Sequence, residues 1–136
     1  MTIPWLTLGV ILVGLTALLA LLFFAEYRPV RALTPAQARA ALHDKDIDRI
    51  IDVRTTNEHA AGNLPHATHI PLPQLQQRLP TEFADRSLSL LFVCQSGRRA
   101  RHAAKIAQDL GNTRVSYLAG GDYHELERPA PPMLNV

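Results

Sequence analysis

The chain has 136 residues, enough for one small domain plus an accessory segment. Its net charge of +2 and pI near 9.0 are mildly basic, and no Lys/Arg stripe is interleaved with aromatics, so no nucleic-acid partner is expected. A single cysteine excludes an internal disulfide framework and a zinc site of the paired-CxxC kind, and neither metal nor cofactor is expected.

Ile3 to Ala25 contains no charged residue. At about 1.5 Å per helical residue the run reaches roughly 35 Å, against a hydrocarbon core of about 30 Å. A signal peptide would want a basic start, which Met1-Thr2-Ile3-Pro4-Trp5 lacks, and no A-x-A site follows. A core helix of that length needs a larger domain than this chain can build. Residues 1–26 are therefore expected to be an uncleaved transmembrane helix, with Trp5 and Tyr27 near the two interfaces. Arg28 and Arg31 flank only its carboxyl end, and the positive-inside rule then places the following domain in the cytoplasm.

Residues 27–33 read as a linker in which Pro29 stops the helix, and residues 34–133 as one domain. Thr34-Pro35-Ala36-Gln37 opens a helix that runs to about His43, with Thr34 as cap and Gln37 completing a capping box. Arg49 to Val53 is a short buried strand. Thr55 to Glu58 repeats the capping box and starts a brief helix ended by Gly62. A strand is expected around His69-Ile70, a short helix from Pro73 to Arg78, and loop from Pro80 to Ser87.

Leu88 to Val93 is a β-prone run ending at Cys94, followed by a polar loop and a helical pattern from Arg101 to Leu110. Arg114 to Leu118 is the last strand, Gly120-Gly121 turns into a short helical segment, and Arg128 to Val136 reads as a loose tail. Strands alternating with helices predict an α/β domain with a mainly parallel sheet flanked by helices. Working residues in such sheets lie at the carboxyl ends of strands, where Asp52, Cys94 and Gly120 fall.

A thiol at a strand end before a helix N-terminus sits among unpaired N–H groups and the positive end of a dipole, which suits an anionic sulfur. Gly97 permits a backbone conformation that a Cβ obstructs. The amides of Gln95 to Arg99 are expected to curl round the sulfur as a nest, and Arg98 or Arg99 to attract an oxyanion donor. His59, His66 and His69 have no third ligand at convincing spacing, so packing or surface roles are expected of them.

Three stretches, in order and suitably spaced, carry a family resemblance. Asp52-Val53-Arg54, then Glu58, then Gly62-Asn63-Leu64-Pro65-His66-Ala67 resembles the first signature of rhodanese domains, which commonly reads D-V-R, E, G-H-I-P-G-A. Cys94-Gln95-Ser96-Gly97-Arg98 resembles the active-site loop of single-domain rhodaneses, and Leu118-Ala119-Gly120-Gly121 their late L-x-G-G turn. The chain departs from the pattern at His59, Asn63 and His66, and after the glycine pair.

The resemblance implies sulfur transfer: Cys94 takes the outer sulfur of a donor such as thiosulfate or a protein persulfide and passes it, as a persulfide, to a thiophilic acceptor. It also implies that Asp52 and Arg54 brace the fold, with Arg54 paired to Glu58. A membrane-tethered persulfide carrier or interaction module delivering to a protein acceptor is the non-enzymatic alternative. A phosphatase or arsenate reductase is disfavoured, because such loops need Cys, five residues, then Arg, and the sixth residue after Cys94 is Ala100.

Overall fold

The computed structural model describes residues 4–26, 29–120 and 123–128. The elements run α1 (Trp5–Glu26), β1 (Arg31–Leu33), α2 (Pro35–His43), β2 (Arg49–Asp52), α3 (Thr56–Ala61), β3 (Ala67–His69), α4 (Leu75–Glu82), β4 (Ser89–Val93), α5 (Arg98–Asp109) and β5 (Arg114–Leu118). Single 3-10 turns cover Leu72–Gln74 and Tyr123–Leu126. Tyr27, Arg28, Gly121 and the tail from residue 129 lie outside the described residues.

The five strands are all parallel, in the order β1-β5-β4-β2-β3. Central β4 is buried at every position, and its side chains alternate between two cores. Leu90 and Phe92 pack with Leu75 and Leu79 of α4 and the alanines of α5, whereas Leu91 and Val93 pack with Leu33, Ala38 of α2, Leu118 and Tyr123. Period-two alternation with helices on both faces is what a buried parallel strand requires.

Both capping boxes form. Thr34 accepts from the Gln37 amide and Gln37 accepts in return, and Thr55 and Glu58 exchange the same pair of bonds. Three expectations change. The linker reading of residues 27–33 ends early, because residues 31–33 are an edge strand: Leu33 is 2% exposed and its carbonyl accepts from Ala119 N–H at 2.8 Å. Pairing with distant β5 creates this strand, and three residues beginning with arginine carry no local signal for it.

The helix after Pro73 begins at Leu75 and continues through Pro80 to Glu82. Burial of Leu79, the Phe83 N–H bond to its carbonyl at 2.9 Å and an Arg78–Glu82 pair at 2.6 Å outweigh the single bond that Pro80 cannot donate. Helix α5 starts at Arg98 rather than Arg101, for a reason that belongs to the site.

Helix α1 stands apart. Its Trp5–Ala25 stretch is apolar, long enough to cross a membrane and wholly exposed, with leucine, valine and phenylalanine side chains facing outward on every side.

Candidate active site

Three strand ends meet at the carboxyl edge of the sheet. Asp52 closes β2, Cys94 directly follows β4, and Gly120 comes just after β5. The alternation along β4 aims the cysteine: it continues the series of Leu90 and Phe92, and so lies on the α5 side, where it is 1% exposed.

The turn into α5 depends on Gly97. Its φ of +86° lies in the left-handed region, and a Cβ there would stand 2.9 Å from the Leu118 carbonyl oxygen and 3.4 Å from the Ala119 Cα. A left-handed residue in such close quarters has to be glycine. The sharp turn lets the helix begin at once, three residues ahead of the position its alanine pattern suggests. First-turn amides of a helix have no internal partner, and here two of them find the sulfur. Gly97 N–H donates to Cys94 Sγ at 3.0 Å and Ala100 N–H at 3.3 Å. The nest expected from Gln95 to Arg99 is therefore narrower, with Gly97 as one member and Ala100, just beyond the loop, as the other. Gln95, Ser96 and Arg98 are exposed at the loop surface.

The two arginines part company. Arg99 reaches across to α3, where Nη1 and Nη2 donate to Glu58 Oε2 at 2.7 Å and Oε1 at 2.9 Å. Glu58 also accepts the Thr55 amide at 2.8 Å and the Thr55 hydroxyl at 2.9 Å. These bonds, those of Arg99 foremost, lower the Glu58 carboxyl to about 2. Arg98 makes no hydrogen bond or ion pair among the described residues.

Behind this pair lies a buried polar cluster. Asp52, 0% exposed, accepts from Arg54 Nε, Nη2 and backbone N–H at 2.8–3.1 Å. Burial by itself would raise the Asp52 carboxyl, but the hydrogen bonds from Arg54 and His59 more than offset it and hold it below its ordinary value. The expected Arg54–Glu58 ion pair is corrected here. Arg54 pairs with Asp52, because that carboxylate is the buried one that needs a cation, and meets Glu58 only at its backbone carbonyl, at 3.3 Å. Arg54 also donates to the Gly62 carbonyl at 2.7 Å and lies 4.0 Å above the Tyr123 ring, whose hydroxyl donates to the same carbonyl at 3.1 Å.

The histidines divide. His59 Nδ1 bonds Asp52 at 3.1 Å, and its ring stacks on His69 at 4.0 Å, while His69 Nε2 donates to the Arg54 carbonyl at 2.8 Å. His66 is exposed in a left-handed turn with φ of +66°, at the position where the rhodanese signature carries glycine. Among the described residues no group of histidine, cysteine and carboxylate side chains is arranged to hold a metal ion. Ala100 and Tyr123 were not singled out by the sequence. An aromatic two residues after the Gly120-Gly121 pair was the available signal for Tyr123. A cleft of about 280 Å³ opens beside the loop, walled by Arg54, Glu58, Gly62, Gln95 and Tyr123.

The model of the rhodanese-like domain matches residues 34–123. Human thiosulfate:glutathione sulfurtransferase is 34% identical over 92 residues, covering 59% of this chain and 80% of the relative. Thiosulfate sulfurtransferase PspE of Escherichia coli is 29% identical over 70 residues, covering 52% and 67%. The solved structure of a human single-domain sulfurtransferase superposes with a TM-score of 0.61 at 30% identity, covering 76% of this chain and 100% of the other. A five-stranded parallel sheet with one buried cysteine at the carboxyl end of its central strand accords with these likenesses, and the chain belongs to the rhodanese-like family of single-domain sulfurtransferases.

Proposed function

We propose that this chain is a membrane-anchored sulfurtransferase that carries sulfane sulfur on Cys94. The observation that carries the reading is the pair of amides, Gly97 and Ala100, aimed at Sγ from the start of α5. Two N–H donors and a helix N-terminus stabilise negative charge on sulfur, and they serve equally for a thiolate nucleophile and for the thiolate released at the end of the cycle. In the first half-reaction the Cys94 thiolate attacks the outer sulfur of thiosulfate. The S–S bond breaks, its electron pair leaves with sulfite, and Cys94 becomes a persulfide. A thiophilic nucleophile, cyanide in the usual assay, then attacks that outer sulfur, and Cys94 departs as thiolate. The persulfide puts its outer sulfur about 2 Å beyond Sγ, which helps a nearly buried cysteine to hand on its cargo.

Gln95, Ser96, Gly97 and Arg98 form the substrate-facing loop in this reading, with Arg98 the cation available to an anionic donor. Arg99 is engaged by Glu58, and Asp52 and Arg54 support the loop from behind. Phosphate chemistry finds little support, since the residue six after Cys94 is the buried Ala100. Phosphate ester turnover exceeding sulfur transfer from thiosulfate would reverse that judgement.

Intact mass of the protein after thiosulfate treatment tests the central step. A gain of about 32 Da for one sulfur atom, reversed by dithiothreitol and absent in Cys94→Ala, is expected. No adduct with any sulfane donor would sink the proposal. The anchor rests on the fully exposed apolar surface of α1, and the cytoplasmic placement on Arg28 and Arg31. Removal of the domain by protease added outside intact spheroplasts would contradict that placement.

A further inference from the structure

We propose that the outer face of α5 is a docking strip for an acidic protein that exchanges sulfur with Cys94. The inference rests on the sulfur-transfer reading and narrows its partner. Helix α5 holds four of the chain's fourteen Lys/Arg residues but one of its twelve acids. Its inner face is Ala100, Ala103, Ala104 and Ala107, all buried, so every charge projects to the other side. Of the four cations, only Arg99 is paired among the described residues. Arg98, Arg101 and Lys105 are exposed and make no hydrogen bond or ion pair among the described residues.

Steps of three and four residues stand these cations in one row, with His102 exposed beside Arg101. The row starts at the loop that holds Cys94 and runs about 10 Å along the helix. Like charges so spaced repel one another and contribute nothing to their own fold, whereas an acidic surface laid along them turns the repulsion into attraction and steers encounter.

Two alternatives fit less well. A small anionic donor at the sulfur reaches the first turn of α5, but Lys105 lies about two turns further. A lipid surface is disfavoured by direction. Helix α5 joins parallel strands, so it runs opposite to them, and its cationic start lies at their carboxyl edge. Asp109 ends it at the amino edge, the edge at which β1 follows α1 after residues 27–30.

In the exchange itself, a thiolate of the docked protein attacks the outer sulfur of the Cys94 persulfide. The S–S bond breaks, Cys94 leaves as thiolate and the partner gains the persulfide; the reverse reaction loads Cys94.

The test uses the full chain in uncharged detergent micelles and two synthetic acceptor peptides of equal length, each with one cysteine, flanked by glutamates in one and by lysines in the other. After thiosulfate loading, followed by mass, the glutamate peptide should accept sulfur roughly tenfold faster at low salt. That advantage should vanish at 1 M salt, where the screening length is about 3 Å. The double variant Arg101→Glu, Lys105→Glu should reverse the preference with thiosulfate loading unchanged, and Arg101→Gln, Lys105→Gln should abolish it should the reversal fail to fold. Equal rates for the two peptides, or a preference that survives both variants, would overturn the docking strip. So would variants that change binding to phosphatidylserine vesicles and leave the peptides alone. Failure of thiosulfate to load wild-type protein counts against the sulfur chemistry instead. The strip is then still read by fluorescence anisotropy of the labelled glutamate peptide on wild type and variant.

Discussion

Two of the strand-to-helix turns at the carboxyl edge of the sheet, those after β4 and β2, are built from opposite materials. After β4, the turn is made of backbone: a left-handed glycine, two amides and one sulfur, with the side chains of Gln95, Ser96 and Arg98 turned outward. After β2, the turn is made of side chains: Asp52 accepts from Arg54 and bonds His59, Arg54 reaches on to the Gly62 carbonyl, and Glu58 is held by Thr55 and by Arg99 of α5. A backbone site holds its sulfur without help from the side chains around it, and depends instead on the absence of a Cβ at Gly97. A side-chain site has no such independence, since each group is sized to its partner.

The largest effect should come from cutting the side-chain turn at its centre. Asp52→Ala strands the Arg54 guanidinium, 4% exposed, without its anion. Leaving a buried charge unpaired costs about 3–5 kcal/mol, a large part of a small domain's stability, and a urea unfolding curve should show it. A stability close to wild type would mean that Tyr123 and the Gly62 carbonyl hold Arg54 by themselves.

Gly97→Ala attacks the other turn. A left-handed alanine crowded against the Leu118 carbonyl should cost about 1–3 kcal/mol. It should also slow thiosulfate loading by more than the stability loss explains, because one of the two amides that face the sulfur belongs to the mutated residue. Unchanged loading in a folded variant would detach the amide geometry from the chemistry.

Acid separates the turns a third way. The Glu58 carboxyl lies at about 2 in the folded protein against an ordinary 4.5. A carboxylate so lowered contributes stability that is complete above about pH 4.5 and is lost as the pH falls towards 2. Asp52, also lowered, acts with the same sign. Denaturation midpoints of wild type should therefore fall more steeply over that window than those of Glu58→Gln. Parallel curves would show that Arg99 and Glu58 gain nothing from each other in solution.

The smallest effect serves as a control outside both turns. His66 holds a φ of +66° at an exposed position, so His66→Gly should raise stability by about 1 kcal/mol or less, the relief of left-handed strain being partly offset by greater freedom in the unfolded chain. A destabilised variant would indicate that the imidazole has a packing role of its own.

What could be read from the sequence follows the same division. Capping boxes at Thr34 and Thr55, the β4 run and the Gly97 turn are local signals, and each stands where its residues predicted. The edge strand β1 depends on pairing with distant β5, and α4 passes through Pro80 on the burial of Leu79 together with local bonds too weak to read in advance. The site divides likewise. That Cys94 ends a strand before a helix was legible, but the choice of Asp52 over Glu58 as the partner of Arg54 was not. Both carboxylates lie within reach along the chain, and only burial, a property of the finished fold, decides between them.

The alternation along β4 also has a consequence of parity. Leu90, Phe92 and Cys94 share one side of the sheet because they stand an even number of positions apart. One residue inserted between Val93 and Cys94 would send the thiol to the Tyr123 side, away from both amides, while two would return it to the α5 side but lengthen the approach. The sulfur's address is thus written in odd and even numbers as well as in residue types, and insertion scanning of this one junction should show an alternating, rather than graded, response.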